Sequence, residues 1–277
     1  MTSLALPRLV FAPTPLLSAL CARQRSLALY ALVLAALAAA AAAMMAIDER
    51  TLASGIAVWM KPAKFLVSVS VFAATAAWYF GHVRPERRSS PAMRATVATL
   101  ILAGTFELAW IGWQGAHGLE SHFNADTPFF AVMYALMGLF ALILTATTLP
   151  LAWEIGRRPA AHLTRDFKAA LVIGLVLTFV LGAGFGVAIS INGGHAVGAE
   201  TGAVPLFGWN RGGGDLRIAH FVGIHAQQAI PLLAFAIRRR PERLRWRLLA
   251  AGTLAYVAVA AGLFWQAMAG LPLFPLA

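Results

Sequence analysis

Seven long apolar runs divide the chain, near residues 27–46, 64–82, 95–116, 128–152, 169–191, 217–237 and 247–270. Each approaches the roughly 20 residues that a helix needs to cross a bilayer, and short polar connections separate them. The pattern predicts an all-α integral membrane protein, a bundle of about seven transmembrane helices. Residues 1–26 read as an arm ahead of the bundle, and residues 27–277 as one transmembrane domain. Leu4, Leu6, Leu9, Val10 and Phe11, set among prolines and arginines, suit either a segment lying in the membrane interface or an unstructured tail. The first run, Leu27 to Ala46, has the small residues of a signal peptide near its end. It follows a long arm and exceeds a usual signal core, so a retained span is expected.

Composition strengthens the membrane reading. The chain is 60% hydrophobic and 12% charged, more apolar surface than a soluble core of this length could bury, and the bilayer is the natural solvent for the excess. A net charge of +11 would suggest nucleic acid in a soluble protein. Here the cations stand in short clusters between apolar runs, which is how a membrane protein is oriented; the bilayer is the expected partner, and nucleic acid is not.

Those clusters alternate from one connection to the next. Arg8, Arg23 and Arg25 precede the first run; Arg84, Arg87, Arg88 and Arg94 follow the second; Arg157, Arg158, Arg165 and Lys168 follow the fourth; Arg238, Arg239, Arg240, Arg243, Arg245 and Arg247 follow the sixth. The intervening connections carry few cations. Because positive loops stay inside during insertion, the N-terminus is expected in the cytoplasm and the C-terminus outside. Alanine- and arginine-rich usage fits a bacterial inner (plasma) membrane. The single cysteine, Cys21, leaves no intrachain disulfide and no cysteine-rich metal site.

The unexpected polar residues gather on the expected outer side, in 48–64, 114–126 and 192–220. Glu107 lies inside the third run, roughly 15 Å deeper than His117 at 1.5 Å per residue. A carboxyl at that depth faces protein or water and is a candidate catalytic or proton-exchanging group; its structural alternative is a hydrogen-bonded tie between helices. The sixth run opens with Asp215, Arg217, His220, His225, Gln227 and Gln228. In a continuous helix His220 and Gln227 share a face, whereas His220 and His225 stand about 140° apart, so two histidines for one ion would have to come from two helices. His117 and His220 are the expected pair of haem or transition-metal ligands, with His122 and His225 as alternates. Gln114, Gln227 and Gln228 are candidate ligand contacts. Lys61 and Lys64, cations at the expected outer start of the second run, call for an anionic neighbour: a carboxylate, a lipid phosphate or an acidic ligand such as a haem propionate, which Arg217 could also meet.

Other features have structural explanations. Asp215 suits a helix N-cap, Asp126 or Thr127 before Pro128 a helix start, and Asn192-Gly193-Gly194 a helix end. Gly182, Gly184 and Gly186 fit close helix packing better than a nucleotide loop. Trp59, Trp110, Trp113, Trp209 and Trp265 suit an interfacial belt, with Trp110 and Trp113 alternatively walling a pocket. Ser121 beside His122 makes no nucleophile pattern. The glycine-rich connection holding His195 and Arg211 reads as a lid or a spacer, and the seventh run has no lysine for retinal.

Three functions fit: a haem- or metal-dependent redox protein; a transporter of a small solute or protons, against which the sequence shows no inverted repeats or broken helix pairs; and a receptor or assembly subunit whose outer polar groups brace loops. The leading expectation is a one-sided polar pocket between the third and sixth runs, open to a small molecule from the extracytoplasmic side and holding haem or a metal.

Overall fold

A computed structural model describes residues 15–52 and 55–276. Residues 1–14, which hold most of the expected arm, lie outside the described residues. Six of the described helices are long and apolar enough to cross a membrane, and a bent helix pair makes a seventh. The chain is therefore a helical, multi-pass membrane protein.

In chain order, α1 (Pro15–Arg23) leads into α2 (Arg25–Met44), followed by α3 (Met60–Phe80), α4 (Pro85–Arg88) and α5 (Pro91–Ala116). Then come α6 (Pro128–Ala146), α7 (Thr148–Arg157), α8 (Arg165–Ile191), α9 (Leu216–Ile224), α10 (Ala226–Ala236) and α11 (Glu242–Met268). A two-residue ribbon pairs β1 (Ala196–Val197) with β2 (Gly214–Asp215), antiparallel.

Local chemistry starts these helices where polar residues meet apolar runs. The side chains of Gln24, Ser90, Thr127 and Asp215 accept from backbone N–H groups of α2, α5, α6 and α9, and Pro91 and Pro128 fill the first helical turn, where a missing N–H costs nothing. Asp215 and Thr127 thus take the structural roles expected of them. Asn192 caps the end of α8, with Gly193 in the left-handed region at φ 70°.

The most extensive helix pair is α2 against α3. Alanines make it close: Ala31, Ala73, Ala76 and Ala77 are buried between the helices, and Ser70 donates to Ala31 O at 2.7 Å. On its other side α3 meets α5, where Pro62 packs on Gly115 and Val69 on Gly104. Helices α9 and α10 rest on α8, and α9 also packs on α11. The bundle thus has a lysine end, with the starts of α3 and α9 and the 117–127 and 192–215 connections, and an arginine end, with the 81–90, 158–165 and 237–241 connections.

The sixth span departs from a straight helix. It breaks at His225, where α9 and α10 meet at 54°. Pro231 has no N–H to offer the carbonyl of Gln227, four residues back, and the hydroxyl of Tyr79 donates to that carbonyl at 2.7 Å instead. The hydroxyl of Thr178 accepts from Gln227 N at 2.9 Å and donates to Ile224 O at 3.4 Å, while Tyr256 donates to Val222 O. Three side chains from three other helices therefore satisfy the backbone that the break frees, as an apolar environment demands.

Helix α8 receives the break along one stripe, Gly174, Thr178, Gly182 and Gly186, each one turn from the next. A Cβ on Gly174 would stand 3.0 Å from Ala226 O, and one on Gly182 2.8 Å from an Ile224 methyl. Two of the three glycines expected to serve close packing, Gly182 and Gly186, do so. Gly184 points into open space, because it lies off this stripe.

Candidate functional site

The polar residues at the lysine end fall into two groups against α3, with Lys61 in electrostatic range of both. The first lies between α3 and α5. Glu107, Ile111 and Gln114 share the buried face of α5; Glu107 is 4% exposed and Gln114 fully buried. Gln114 Nε2 donates to Glu120 O at 2.9 Å, folding the 117–127 connection back over the helix ends. Among the described residues, Glu107 Oε1 and Gln114 Oε1 have no hydrogen-bond partner. Lys61 lies within electrostatic range of both Glu107 and Glu120.

His122 belongs to this group. Its ring lies 5.7 Å from that of Phe65, and its Nδ1 is 3.0 Å from Ser121 Oγ. Burial, and then the charge of Lys61, holds it neutral with a pKa pushed down to about 3. Asp48, another possible partner for Lys61, is already engaged: Arg50 pairs with it at 2.7 Å and Trp59 donates to it at 2.7 Å.

The second group lies between α3 and the broken span. Lys64, Ser68, Thr75 and Tyr79 fall on one face of α3 by their spacing. Lys64 donates to Phe207 O at 3.1 Å. Arg217 donates from Nη2 to Gly208 O at 2.5 Å and forks onto Asp215, whose carboxylate that pairing helps hold below the usual range despite burial. Farther in, His225 sits at the break against the Phe221 ring at 4.4 Å, beside Gln228, which donates to Thr75 Oγ1 at 3.0 Å. Gln227 uses its backbone, not a side-chain bond, to tie α10 to Thr178 and Tyr79.

The expected pair of His117 and His220 takes a different form. His117 caps α5, exposed, with Nδ1 2.8 Å from Trp113 O and its ring 4.3 Å from the Trp113 ring. His220 turns to α8, with Nδ1 2.9 Å from Gly182 O. No hydrogen bond or ring contact joins them: His117 is held by Trp113 and His220 by Gly182. Among the described residues no group of three or more His, Cys, Asp or Glu is placed to hold a metal ion.

Trp110 and Trp113 stack on each other 5.2 Å apart, and Trp110 lies against Phe129 and Phe130. The glycine-rich connection is largely packed: Cβ atoms at Gly213 and Gly214 would lie 2.5 Å and 1.9 Å from backbone oxygens of Ala199 and Ala267, and Arg211 binds Phe274 O and Pro275 O. His195 pairs with Glu200 at 3.2 Å, and burial holds its pKa down.

A third polar contact, at the arginine end, has no counterpart in the sequence reading. His82 is 6% exposed, and its Nδ1 lies 3.2 Å from His162 Nε2. Burial, then the charges of Arg23, His162 and Arg88, pushes the pKa of His82 down to about 4. Comparison with known proteins leaves the site to speak for itself: no family model, curated protein or solved structure matches the chain.

Proposed function

We propose that this protein is a proton-linked membrane carrier of a small polar solute, loaded at the lysine end, which the arginine distribution makes the extracytoplasmic side. One observation carries the reading. Glu107 and Gln114 present buried oxygens without donors among the described residues, in range of Lys61 and beneath a folded-back connection. Buried acceptors are ordinarily satisfied, and a solute bringing O–H or N–H donors and an acidic group would complete all three. Glu107 lies nine residues, roughly 14 Å, inside the end of α5, a depth at which a carboxyl takes and releases protons as its surroundings change.

The broken span adds support. Irregular backbone at membrane depth belongs where it lines a cavity or is buried in protein, and transporters place such breaks near the midplane beside their sites. His225 and Gln228 stand at this break, about as deep along α9 as Glu107 is along α5. Haem or metal chemistry has less support, since it would need His117 and His220 to turn from separate neighbours towards a common ligand.

The test is a thermal-shift panel on protein in lipid nanodiscs, using small carboxylates, hydroxy acids, amino acids and phosphates at constant ionic strength. At least one solute should raise the melting temperature, and Lys61→Met and Glu107→Gln should each remove that shift. A panel without effect, or a shift that survives both substitutions, overturns the reading.

A further inference from the structure

Residues 203–210 form a narrow hairpin. Ala203 pairs with Asn210, Val204 N donates to Trp209 O, and Gly208 N donates to Val204 O. The stem is anchored: Trp209 stacks on Phe207 at 4.5 Å and parallel to Phe274 at 6.0 Å, and Asn210 is bound by Ala199 and Asp215. The tip is not. Leu206 and Phe207 are 71% and 42% exposed, and Leu206 holds φ 67°, a left-handed conformation that a leucine adopts only when its surroundings impose it.

Two hydrogen bonds attach this tip to the helices, and both come from cations. Lys64 donates to Phe207 O and Arg217 to Gly208 O, consecutive carbonyls. Lys61 lies in electrostatic range of both cations. Against these three cations, the carboxylate in closest contact is Asp215, already locked on Arg217. The carbonyls of Phe207 and Gly208 are neutral acceptors on an ammonium and a guanidinium, donors that a carboxylate or phosphate oxygen would also engage. A charged oxygen accepts from such donors roughly twice as strongly as a neutral one.

We infer that Lys64 and Arg217 form an oxyanion-binding site, and that the 204–208 tip is a strap whose Phe207 and Gly208 carbonyls fill it until an anionic ligand displaces them. The inference deepens the carrier reading by naming the charged part of the solute, and rests on that reading only for the ligand's use. The strain at Leu206 favours opening; lifting the tip parts Phe207 from Trp209 and Phe221, while Asn210 keeps the base of the hairpin anchored.

Hydrogen–deuterium exchange of the 203–210 segment, on full-length protein in nanodiscs, tests it. Inorganic phosphate and succinate are the probes, each compared with chloride at matched ionic strength. Release of the tip should speed exchange of the wild-type segment with one probe or both, and which one responds separates a phosphate from a carboxylate ligand. Lys64→Ala should speed exchange about tenfold without any anion, the size expected for losing a hydrogen bond from a charged donor, and should abolish the anion response. Leu206→Gly should slow it. Exchange that neither anion moves, or that is the same in wild type and Lys64→Ala, overturns the inference. A strap that answers to anions in a protein whose melting temperature no solute shifts through Lys61 and Glu107 would leave this site standing and remove the carrier reading.

Discussion

The hydroxyl of Tyr79 donates to the carbonyl of Gln227 across 2.7 Å, replacing the helical partner that Pro231 takes away. The bond ties α3 to the broken sixth span in a region that is buried on both sides. With Thr178 and Tyr256 it turns a helix break, costly in an apolar medium, into a fixed feature of the bundle.

Removing either support should therefore cost stability. Tyr79→Phe and Thr178→Val each leave a buried backbone group without its partner, a loss of about 1–3 kcal/mol. Thermal unfolding in detergent should show both well below wild type. Thr145→Val, where an exposed hydroxyl bonds only within its own helix, should lie within about 0.5 kcal/mol of wild type.

The α8 stripe makes a sharper comparison. Gly174→Ala drives a methyl against Ala226 O, which is backbone and fixed by the break, so it should lower the melting temperature. Gly184→Ala meets nothing within 4 Å and should raise stability by up to about 1 kcal/mol through helix propensity. Opposite signs from the same substitution ten residues apart are the expected result.

Acid should destabilise the fold through its buried histidines. His82 and His122 are neutral in the folded protein down to about 4 and about 3, whereas the unfolded chain protonates them near 6.5. The unfolded state then binds more protons between these values, so stability is full above pH 6.5 and falls as pH drops towards 4. Melting temperatures measured across that window should decline in wild type and less steeply in His82→Gln.

Much of this was legible in the chain. The spans match the apolar runs to within a few residues, since bilayer-length hydrophobicity is a strong and local signal. Asp215, Thr127 and Asn192 were readable as caps because capping depends on neighbouring residues alone. Although the face it shares with Gln114 was not drawn from the spacing, Glu107 was readable as a buried carboxyl from its depth in the third run. The order of helices around α3 was not, because apolar runs of similar composition do not say which pairs pack; that is why His117 and His220 were expected together. The break at His225 had a signal in Pro231 and in the glycine–threonine stripe of α8. Its supports, Tyr79 and Tyr256, come from distant helices and have none.

The central claim is that Glu107 exchanges protons as solute crosses. The most direct measurement is internal pH in proteoliposomes loaded with a pH-sensitive dye, after adding the solute that the thermal-shift panel identifies. Wild type should acidify the lumen only when that solute is present, and Glu107→Gln, though folded and reconstituted equally, should not. Equal acidification by Glu107→Gln, or solute uptake in wild type with no change in internal pH, would contradict it.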